Sequence, residues 1–384
     1  MKRGPSGRYE VSTTSGERVE AFIPDPLPPD PPIDLSGPLQ AQLERAAIAL
    51  GRLDSQSALV PDTRLFLSSY VRKEAVLSSQ IEGTQSSLSD LLLFEMDQVP
   101  GVPLDDVAEV SGYVAALEHG LSRLRSGFPI SARLVREMHA RLLARGRGST
   151  KQPGEFRRSQ NWIGGTRPGN ARFVPPPHTE VAPCVTQLEK FVHDDSSHLP
   201  RLIKVGLVHN QFETIHPFLD GNGRIGRLLI TLLLCEYGML AEPLLYLSLY
   251  FKEHRDEYYR LLDQARIDGD WEAWLGFFLD GVAETAEGAV ATAGDLSRLI
   301  DDDRQRLSAV GRRAGSLLRV HDALTARPLV TLTEVVARSG LSFPAASTAM
   351  DELVDVGIAS EVTGKKRNRV FAYDSYLAAL AAGT

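Results

Sequence analysis

Hydrophobic residues recur every three or four positions along most of this chain, which is the spacing of amphipathic α-helices. The repeat begins at Leu39 and continues through Leu43, Ala46, Leu50 and Leu53. The same pattern predicts helices over about 65–77, 105–125, 131–145, 200–215, 255–262 and 270–282. The chain is therefore predicted to be mainly α-helical.

Two segments depart from the helical pattern. The first 40 residues are rich in Pro and Gly, and the run from Pro24 to Pro32 is predicted to be an extended arm or a strap over a folded surface. In the centre, residues 154–165 and 172–177 form two extended pieces joined by a turn rich in Gly, Pro and Asn. We predict a β-hairpin over 154–177, ended by the prolines at 175–177.

The C-terminal part has a third pattern. Past about residue 285 the residues become small and charged, and Asp301–Asp303 are predicted to be a solvated helix start or a linker. Helices are then predicted over 320–326, 333–339 and 342–356, with strands over 358–362 and 370–373 around a basic turn at 364–369. Three helices followed by a basic hairpin resemble a winged helix, covering roughly residues 312–380.

Composition and charge place the chain among ordinary soluble proteins. Its 384 residues suggest two or three domains, and 43% hydrophobic residues are enough for a sizeable core. A net charge of −7 argues against bulk attraction to nucleic acid. Cys184 and Cys235 lie in apolar helical surroundings without a C-x-x-C pair or a secretory signal, which favours a cytoplasmic location. No apolar run reaches the length of about 18 residues that predicts a membrane span.

Residues 216–227, with the sequence HPFLDGNGRIGR, carry the densest chemistry, and a strongly apolar helical pattern follows at once. Gly221 and Gly223 permit positive φ and close approach of a ligand, and the free N–H groups at a helix start favour anions. Arg224 and Arg227 are three apart, so they can share a helix face and donate forked hydrogen bonds to phosphate. This spacing predicts a phosphate-binding loop. It is not a Walker loop, because Arg replaces the Lys-Ser/Thr pair after the second glycine.

This stretch resembles, position for position, the H-x-F-x-(D/E)-G-N-G-R-x-x-R signature of the Fic (filamentation induced by cAMP) family. The resemblance implies a Fic-type helical core and a nucleotidyltransferase that moves AMP from ATP to a Ser, Thr or Tyr hydroxyl of a protein. It implies His216 as the catalytic base and Asp220 as the ligand of Mg²⁺. It implies nucleotide contacts from Gly221, Asn222, Gly223, Arg224, Ile225, Gly226 and Arg227, from Asn161, Trp162, Ile163 and Gly164 of the flap hairpin, and from Tyr258 more than Tyr259.

A second motif lies upstream, where Ser78 and Glu82 are four apart on a predicted helix that ends at Gly83. On spacing alone, this is a helix end with a glycine cap. The stretch is also similar to the inhibitory motif (S/T)-x-x-x-E-(G/N) that precedes the core of many Fic proteins. That resemblance implies that Glu82 pairs with Arg227 and withholds it from the γ-phosphate, since a carboxylate and a phosphate compete for one guanidinium.

These patterns suggest four parts. They are an N-terminal arm and helices with the inhibitory motif (1–100), a catalytic core (101–285), a linker helix (286–311) and a winged-helix-like domain (312–384). From residue 304 onward there are 11 Lys and Arg against 7 Asp and Glu, yet the third helix of that domain is poor in basic residues. A protein-interaction or dimerisation module is favoured over DNA binding there.

AMP removal, use of another nucleotide, and a DNA-binding regulator that modifies itself stay open as alternatives. The expected partners are a target protein paired as a strand to the flap and a second copy of the chain.

Overall fold

The structure, a computed structural model, describes residues 2–57, 63–96, 98–365 and 367–381. It opens with a hairpin of β1 (Gly7–Thr14) and β2 (Glu17–Pro24), which pair antiparallel from Gly7 opposite Pro24 to Thr14 opposite Glu17. Ser15 and Gly16 both have positive φ, as a tight two-residue hairpin turn requires. The sequence pattern did not predict this hairpin, in which β2 buries Val19, Ala21, Phe22 and Ile23. The run predicted to be an extended arm or strap follows it, and residues 25–32 form neither helix nor strand.

A helical body follows the hairpin and confirms the mainly α-helical prediction. Its helices are α1 (Pro38–Ser57), α2 (Thr63–Ile81), α3 (Leu88–Glu95), α4 (Leu104–Arg125), α5 (Ala132–Leu142), α6 (His178–Val192), α7 (Arg201–Ile215), α8 (Asn222–Glu236), α9 (Ser248–Glu253), α10 (Arg255–Asp268) and α11 (Trp271–Ser308). Helix α7 runs through the middle of the body, and every residue from Leu202 to Ile215 is buried. It packs against α8, whose residues Leu228–Leu234 are also buried. The residues between α7 and α8 are thus held by the core on both sides.

The predicted hairpin over 154–177 is smaller than the sequence pattern suggested. Only Ile163 and Phe173 pair across it, with N···O distances of 2.8 and 3.1 Å. Gly164 and Gly165 have positive φ and interrupt the strand, and a 3₁₀ turn at Pro168–Asn170 closes the loop. On the other side, the N–H of Phe22 in β2 donates to the carbonyl of Val174 at 2.9 Å. The segment therefore lies between β2 and the central loop.

Helix α11 runs without a break from Trp271 to Ser308. The sequence pattern ended a helix near Val282 because Ala and Gly become frequent there. Those small residues instead allow close packing, since Ala286, Ala289 and Ala293 are buried and α11 packs along α1. The prediction of a solvated helix start is wrong at Asp303, which is 4% exposed and accepts a 2.7 Å hydrogen bond from the Tyr373 hydroxyl.

The C-terminal elements are α12 (Ala314–Ala326), β3 (Leu329–Thr331), α13 (Leu332–Ser339), α14 (Phe343–Asp355), β4 (Ser360–Glu361), β5 (Val370–Ala372) and α15 (Asp374–Ala381). The strands form an antiparallel sheet in the order β3-β5-β4. The predicted three helices and two strands are present, whereas β3 and α15 were not predicted. Helix α15 packs on α2 and α11, and Lys365 Nζ donates to Gln98 Oε1 at 2.6 Å. Lys366 of the predicted basic turn lies outside the described residues.

In the described ranges, every helix falls short of the length and apolarity that a bilayer crossing demands.

Replacing Asp303 with Ala is expected to lower the free energy of unfolding by about 1–3 kcal/mol, because the fully buried Tyr373 hydroxyl then loses its carboxylate acceptor. Urea denaturation followed by circular dichroism measures the change. Asp302→Ala is the matched control, because Asp302 is exposed on the same turn of α11 and its removal should change stability by no more than about 0.5 kcal/mol. Equal midpoints for the two variants would contradict the buried role of Asp303.

Candidate functional site

The site is built on the loop between α7 and α8. Helix α7 ends at Ile215, His216 takes a left-handed conformation with φ 48°, and Gly221 with φ 76° precedes the first residue of α8, Asn222. The Asn222 side chain closes the loop, because its Oδ1 accepts from the Phe218 N–H at 2.8 Å and its Nδ2 donates to the Phe218 carbonyl at 2.9 Å. The free N–H groups at the start of α8 are thereby held at one end of the loop.

His139 on α5 fixes the same loop from behind. Its Nδ1 accepts a hydrogen bond from the Gly154 N–H at 2.8 Å, so the proton lies on Nε2, which donates to the Asp220 carbonyl at 2.9 Å. The ring stacks on Phe218 with centroids 3.7 Å apart. Burial lowers the pKa of His139 to about 4, which keeps this tautomer neutral. The sequence patterns did not single out His139, whose only signal is its buried position on an amphipathic helix.

The Arg157 side chain binds the backbone of His216. The guanidinium is 2% exposed and donates to main-chain carbonyls, with Nε at 2.9 Å from the His216 oxygen and Nη2 at 2.6 Å from the Pro176 oxygen. Burial lowers the pKa of Arg157 to about 10. A buried cation bound to carbonyl oxygens in this way joins the hairpin-like segment to the end of α7 and stabilises the unusual φ of His216.

The His216 side chain faces a cavity and is poised to accept a proton. The residue is half-buried, and its Nδ1 is enclosed. Burial, together with the nearby Arg157 charge, lowers the pKa of His216 to about 4. The imidazole is thus neutral at physiological pH, which is the form that a general base needs.

An NMR pH titration of the His216 imidazole is expected to show a neutral ring from pH 8 down to about 5, because its pKa of about 4 lies well below the ordinary value of 6.5. The signal is assigned by its loss in His216→Ala. A midpoint near 6.5 would show that the ring is more hydrated than its burial indicates.

Ser78 and Glu82 reach Arg227, although they are far apart in sequence. Arg227 Nε donates to Ser78 Oγ at 2.8 Å, and Nη2 donates to the Ser78 carbonyl at 3.0 Å and to Glu82 Oε1 at 2.8 Å. Burial tends to raise the pKa of Glu82, but the Arg227 charge outweighs it and lowers that pKa below its ordinary value. The Glu82 carboxylate also lies so close to Gly223 that a side chain there would collide with it. An acidic group therefore covers the start of α8.

Arg224 forms ion pairs with other carboxylates than Arg227 does. Its side chain is 2% exposed, with Nη1 at 2.8 Å from Glu109 Oε1 and Nη2 at 3.3 Å from Asp220 Oδ1. Glu109 is itself buried on α4, and burial raises its pKa against the opposing Arg224 charge. Arg224 thus connects α4 to the loop. In this conformation the two arginines form ion pairs with different carboxylates, Arg224 with Glu109 and Arg227 with Glu82.

A cavity of about 330 Å³ opens beside His216. It is lined by Glu82, Trp162, Ile163, Gly164, Arg172, Phe173, Glu213, His216, Gly223, Arg227, Tyr258, Tyr259, Leu262, Asp263 and Arg266. The residues expected at the site thus meet here from the loop, the hairpin-like segment and α10. Its volume lies in the range of roughly 300–1,000 Å³ that small-ligand pockets occupy.

The other predicted site residues lie around the cavity rather than in its wall. Asn161 donates from Nδ2 to the Phe218 carbonyl at 3.0 Å. Ile225 is completely buried in the core, and the Gly226 carbonyl is hydrogen-bonded to His209 Nδ1 at 3.0 Å. His209 Nε2 also lies 2.9 Å from the Tyr258 hydroxyl, so this buried histidine connects α8 to α10.

Several cavity residues were missed by sequence reasoning. Leu262, Asp263 and Arg266 follow Tyr258 and Tyr259 at helical spacing, which could have indicated them. Arg172 and Phe173 belong to the second half of the hairpin-like segment. Glu213 lies three residues before His216 on a helix that is otherwise buried, so a charged residue there was a usable signal.

Asp220 is the residue that the sequence predicts as a ligand of Mg²⁺. Among the described residues, no group of three or more His, Cys, Asp or Glu side chains is placed to hold a metal ion. Asp220 is partly exposed and keeps Oδ1 near the Gly221 N–H at 2.6 Å. A single hard oxygen fits Mg²⁺ when phosphates and water supply the remaining ligands.

Comparisons with known proteins agree with this site. Residues 40–122 match the family model described as Fic/DOC family N-terminal, and residues 129–234 match that of the Fic/DOC family. The protein adenylyltransferase Fic of Drosophila yakuba is 29% identical over 240 residues, which are 62% of this chain and 45% of that protein. The Drosophila willistoni protein of the same name is 30% identical over 57% of this chain and 42% of its own length. The chain thus spans less than half the length of these curated relatives.

Solved structures share the fold. A Fic family protein from Desulfovibrio desulfuricans superposes with a TM-score of 0.59 at 19% identity, covering 89% of this chain and 97% of that one. Fic-1 (aa134–508) from C. elegans gives a TM-score of 0.50 at 23% identity, covering 68% of this chain and 74% of that one. At these identities, the likeness is one of fold.

Proposed function

This chain carries the N-terminal region and the domain of the Fic/DOC family, and from that premise we propose that it is a protein adenylyltransferase. It transfers AMP from ATP to a Ser, Thr or Tyr hydroxyl of a target protein. The observation that carries the proposal is a complete motif folded so that a neutral His216 and the start of α8 face one cavity. The similar Drosophila proteins named protein adenylyltransferase Fic support the proposal.

In the proposed reaction, the target hydroxyl oxygen forms a bond to the α-phosphorus of ATP. The bond from the α-phosphorus to the bridging oxygen breaks, and pyrophosphate leaves. His216 takes the hydroxyl proton, which its neutral imidazole supports. Because little covalent chemistry falls to the protein, positioning and charge stabilisation supply most of the rate.

The start of α8 holds the phosphates in this proposal. The backbone of Gly221, Asn222 and Gly223 presents N–H groups to the anion, and the helix dipole favours its negative charge. Arg227 orients the γ-phosphate once Glu82 releases it. Arg224, held by Glu109, contributes positive charge from behind the loop.

Asp220 is the residue that would hold Mg²⁺, with phosphate oxygens and water completing the ligand set. When bound, the ion supplies neutralisation of the charge that develops on the departing pyrophosphate. The nucleoside occupies the rest of the cavity between Trp162, Ile163 and Gly164 on one wall and Tyr258 and Tyr259 on the other. Asn161 supports that wall through its bond to the Phe218 carbonyl.

We further propose that the chain is autoinhibited. Glu82 engages the guanidinium that the γ-phosphate needs, and its carboxylate covers Gly223 at the start of α8. A nucleotide binding in a productive pose must displace this carboxylate.

Incubation of the Glu82→Gly protein with ATP, UTP or GTP, each labelled on the α-phosphate, tests the reaction. Label from ATP on a protein, in lysate or on the chain itself, is the expected result. Label from UTP or GTP in preference would replace AMP transfer with transfer of another nucleotide. Release of AMP by hydrolysis of a previously modified protein, tested with the unchanged chain because Glu82 would activate the water, would favour AMP removal instead.

The C-terminal elements support a separate binding role. Their order is helix, strand, two helices and two strands, with Lys365, Arg367 and Arg369 between the last strands, and it supports the proposal of a winged-helix-like module. Arg369 pairs with Asp351 at 3.1 Å and Arg313 with Glu352 at 3.1 Å, so part of the basic charge is already neutralised. We therefore favour a protein partner or a second copy of the chain over DNA. A gel shift with genomic fragments at defined salt, beside sedimentation of the free protein, distinguishes the two.

A further inference from the structure

Glu213 is a buried acid that none of the roles above uses. It lies on α7, is 7% exposed and lines the cavity beside His216. Its Oε1 is enclosed yet lacks a hydrogen-bond partner anywhere in the described ranges. Burial raises the pKa of Glu213 to about 7. A buried carboxyl oxygen without a partner is destabilising, so its presence calls for a functional explanation.

Other buried acids of the body show the contrast. Glu74 accepts from the Tyr113 hydroxyl at 3.0 Å and from the Ser248 hydroxyl. Glu109 pairs with Arg224 at 2.8 Å and with Arg147 at 3.4 Å. Each of these acids has at least one partner in the protein, although Glu74 Oε2 also lacks a hydrogen bond. For Glu213, no hydrogen bond or ion pair to either carboxyl oxygen is present among the described residues.

The polar groups nearest to Glu213 are engaged elsewhere. Arg227 is bound to Ser78 and Glu82. Arg266 is paired with Asp263 on its own helix, and the Tyr258 hydroxyl is hydrogen-bonded to His209. These neighbours therefore leave Glu213 without a direct partner. The residue lines the cavity, and its Oε1 is enclosed against Gly226.

The position of Glu213 in the cavity says which part of a ligand it meets. A side chain at Gly226 would collide with Glu213 Oε1, so this glycine leaves room for the carboxyl against the first turn of α8. Glu213 lines the same cavity as Gly223 and Arg227 at the start of α8 and as Tyr258 and Tyr259 of α10. Because the phosphates would bind at the start of α8, the nucleoside would fill the rest of the cavity and lie next to the Glu213 carboxyl.

We propose that Glu213 is a specificity-determining residue that reads the nucleoside, its carboxyl accepting a hydrogen bond from a ribose hydroxyl or from an exocyclic amine of the base. Both donors present the same chemistry to a carboxyl oxygen, in its ionised or its protonated form. A site built around such a contact rejects analogues that lack the donor, because the buried acceptor is then left unpaired. The inference rests on the proposed function and deepens it.

The test compares nucleotide binding by calorimetry in the Glu82→Gly background. ATP is matched against 2′-deoxy-ATP, 3′-deoxy-ATP and purine riboside triphosphate, which lacks the exocyclic amine. One analogue is expected to bind roughly tenfold more weakly than ATP. In Glu213→Met, which keeps the side-chain length but removes the acceptor, that ratio should fall to within about twofold. Glu213→Gln, which keeps one acceptor oxygen, should retain part of the ratio.

Thermal unfolding of the free protein separates this role from a structural one. Glu213→Met should keep or raise Tm, because it removes an unpartnered buried carboxyl. Glu74→Met is the matched control and should lower Tm while leaving the nucleotide ratios unchanged, because Glu74 has protein partners and does not line the cavity. A loss of Tm in Glu213→Met as large as that in the control would overturn the inference.

Two further outcomes are distinct. If the Glu82→Gly parent binds ATP and all analogue ratios are the same in Glu213→Met, the role of Glu213 is overturned and the proposed function stands. If the parent binds no nucleoside triphosphate, the proposed function is overturned and this inference with it.

Discussion

AMP transfer by the Glu82→Gly protein is expected to fall by about 10²–10⁴-fold when His216 is replaced by Ala, which is the contribution typical of a general base. The physical reason is that the neutral imidazole of His216, which lines the cavity, is the group placed to take the hydroxyl proton. Single-turnover labelling with α-labelled ATP measures the rate.

Binding must be measured beside the rate for this result to be interpretable. His216 is proposed to contact the target hydroxyl rather than the phosphates, so ATP affinity in His216→Ala should stay within about threefold of the parent. His139→Ala is the comparison, because His139 does hold the loop through the Asp220 carbonyl and its loss should weaken binding as well as rate. Full activity in His216→Ala would remove His216 from the reaction.

Glu82→Gly in the otherwise unchanged chain is expected to raise both ATP affinity and protein labelling by about 10- to 100-fold. The substitution removes a charge-assisted contact to the Arg227 guanidinium, whose other bonds to Ser78 remain, and uncovers Gly223. Glycine at this position is tolerated, because α2 ends one residue earlier at Ile81. Calorimetry with ATP and labelling with α-labelled ATP measure the two effects.

Glu95→Gly is the matched control for this change. Glu95 is the last residue of α3 and forms a half-buried ion pair with Arg72 at 2.9 Å, but it does not line the cavity. It therefore reproduces the loss of a carboxylate–guanidinium contact at a helix end, and its labelling should equal that of the unchanged chain. Equal labelling by all three proteins would reject the inhibitory role of Glu82.

The parts of the fold that follow local periodicity could be predicted from the sequence. Helices α4 and α5 start within a residue of their predicted starts, because their apolar faces are regular. The family resemblance is confirmed, since residues 129–234, which include the motif, match the Fic/DOC model. The proximity of Glu82 and Arg227 also followed from the resemblance rather than from spacing, because nothing local connects residues so far apart.

Features that depend on long-range packing could not be predicted in this way. Asp303 looks solvated in a run of three acids, and only the arrival of Tyr373 from the C-terminal sheet explains its burial. Arg224 and Arg227 are on neighbouring positions of α8, but Glu109 and Glu82 come from different helices and draw them apart. Partners supplied by other elements decide the direction of these side chains.

The unbroken helix α11 determines how the elements that follow it are rotated about its axis relative to the helical body. With about 3.6 residues per turn, each residue added to it would rotate everything beyond by about 100°. An insertion of one residue after Ala293 would therefore swing α15 off α2 and Lys365 away from Gln98, whereas seven residues, about two turns, would nearly restore the original rotation. The number of residues in α11 thus determines the orientation of the C-terminal elements. They pack against α2 only because α11 has this length.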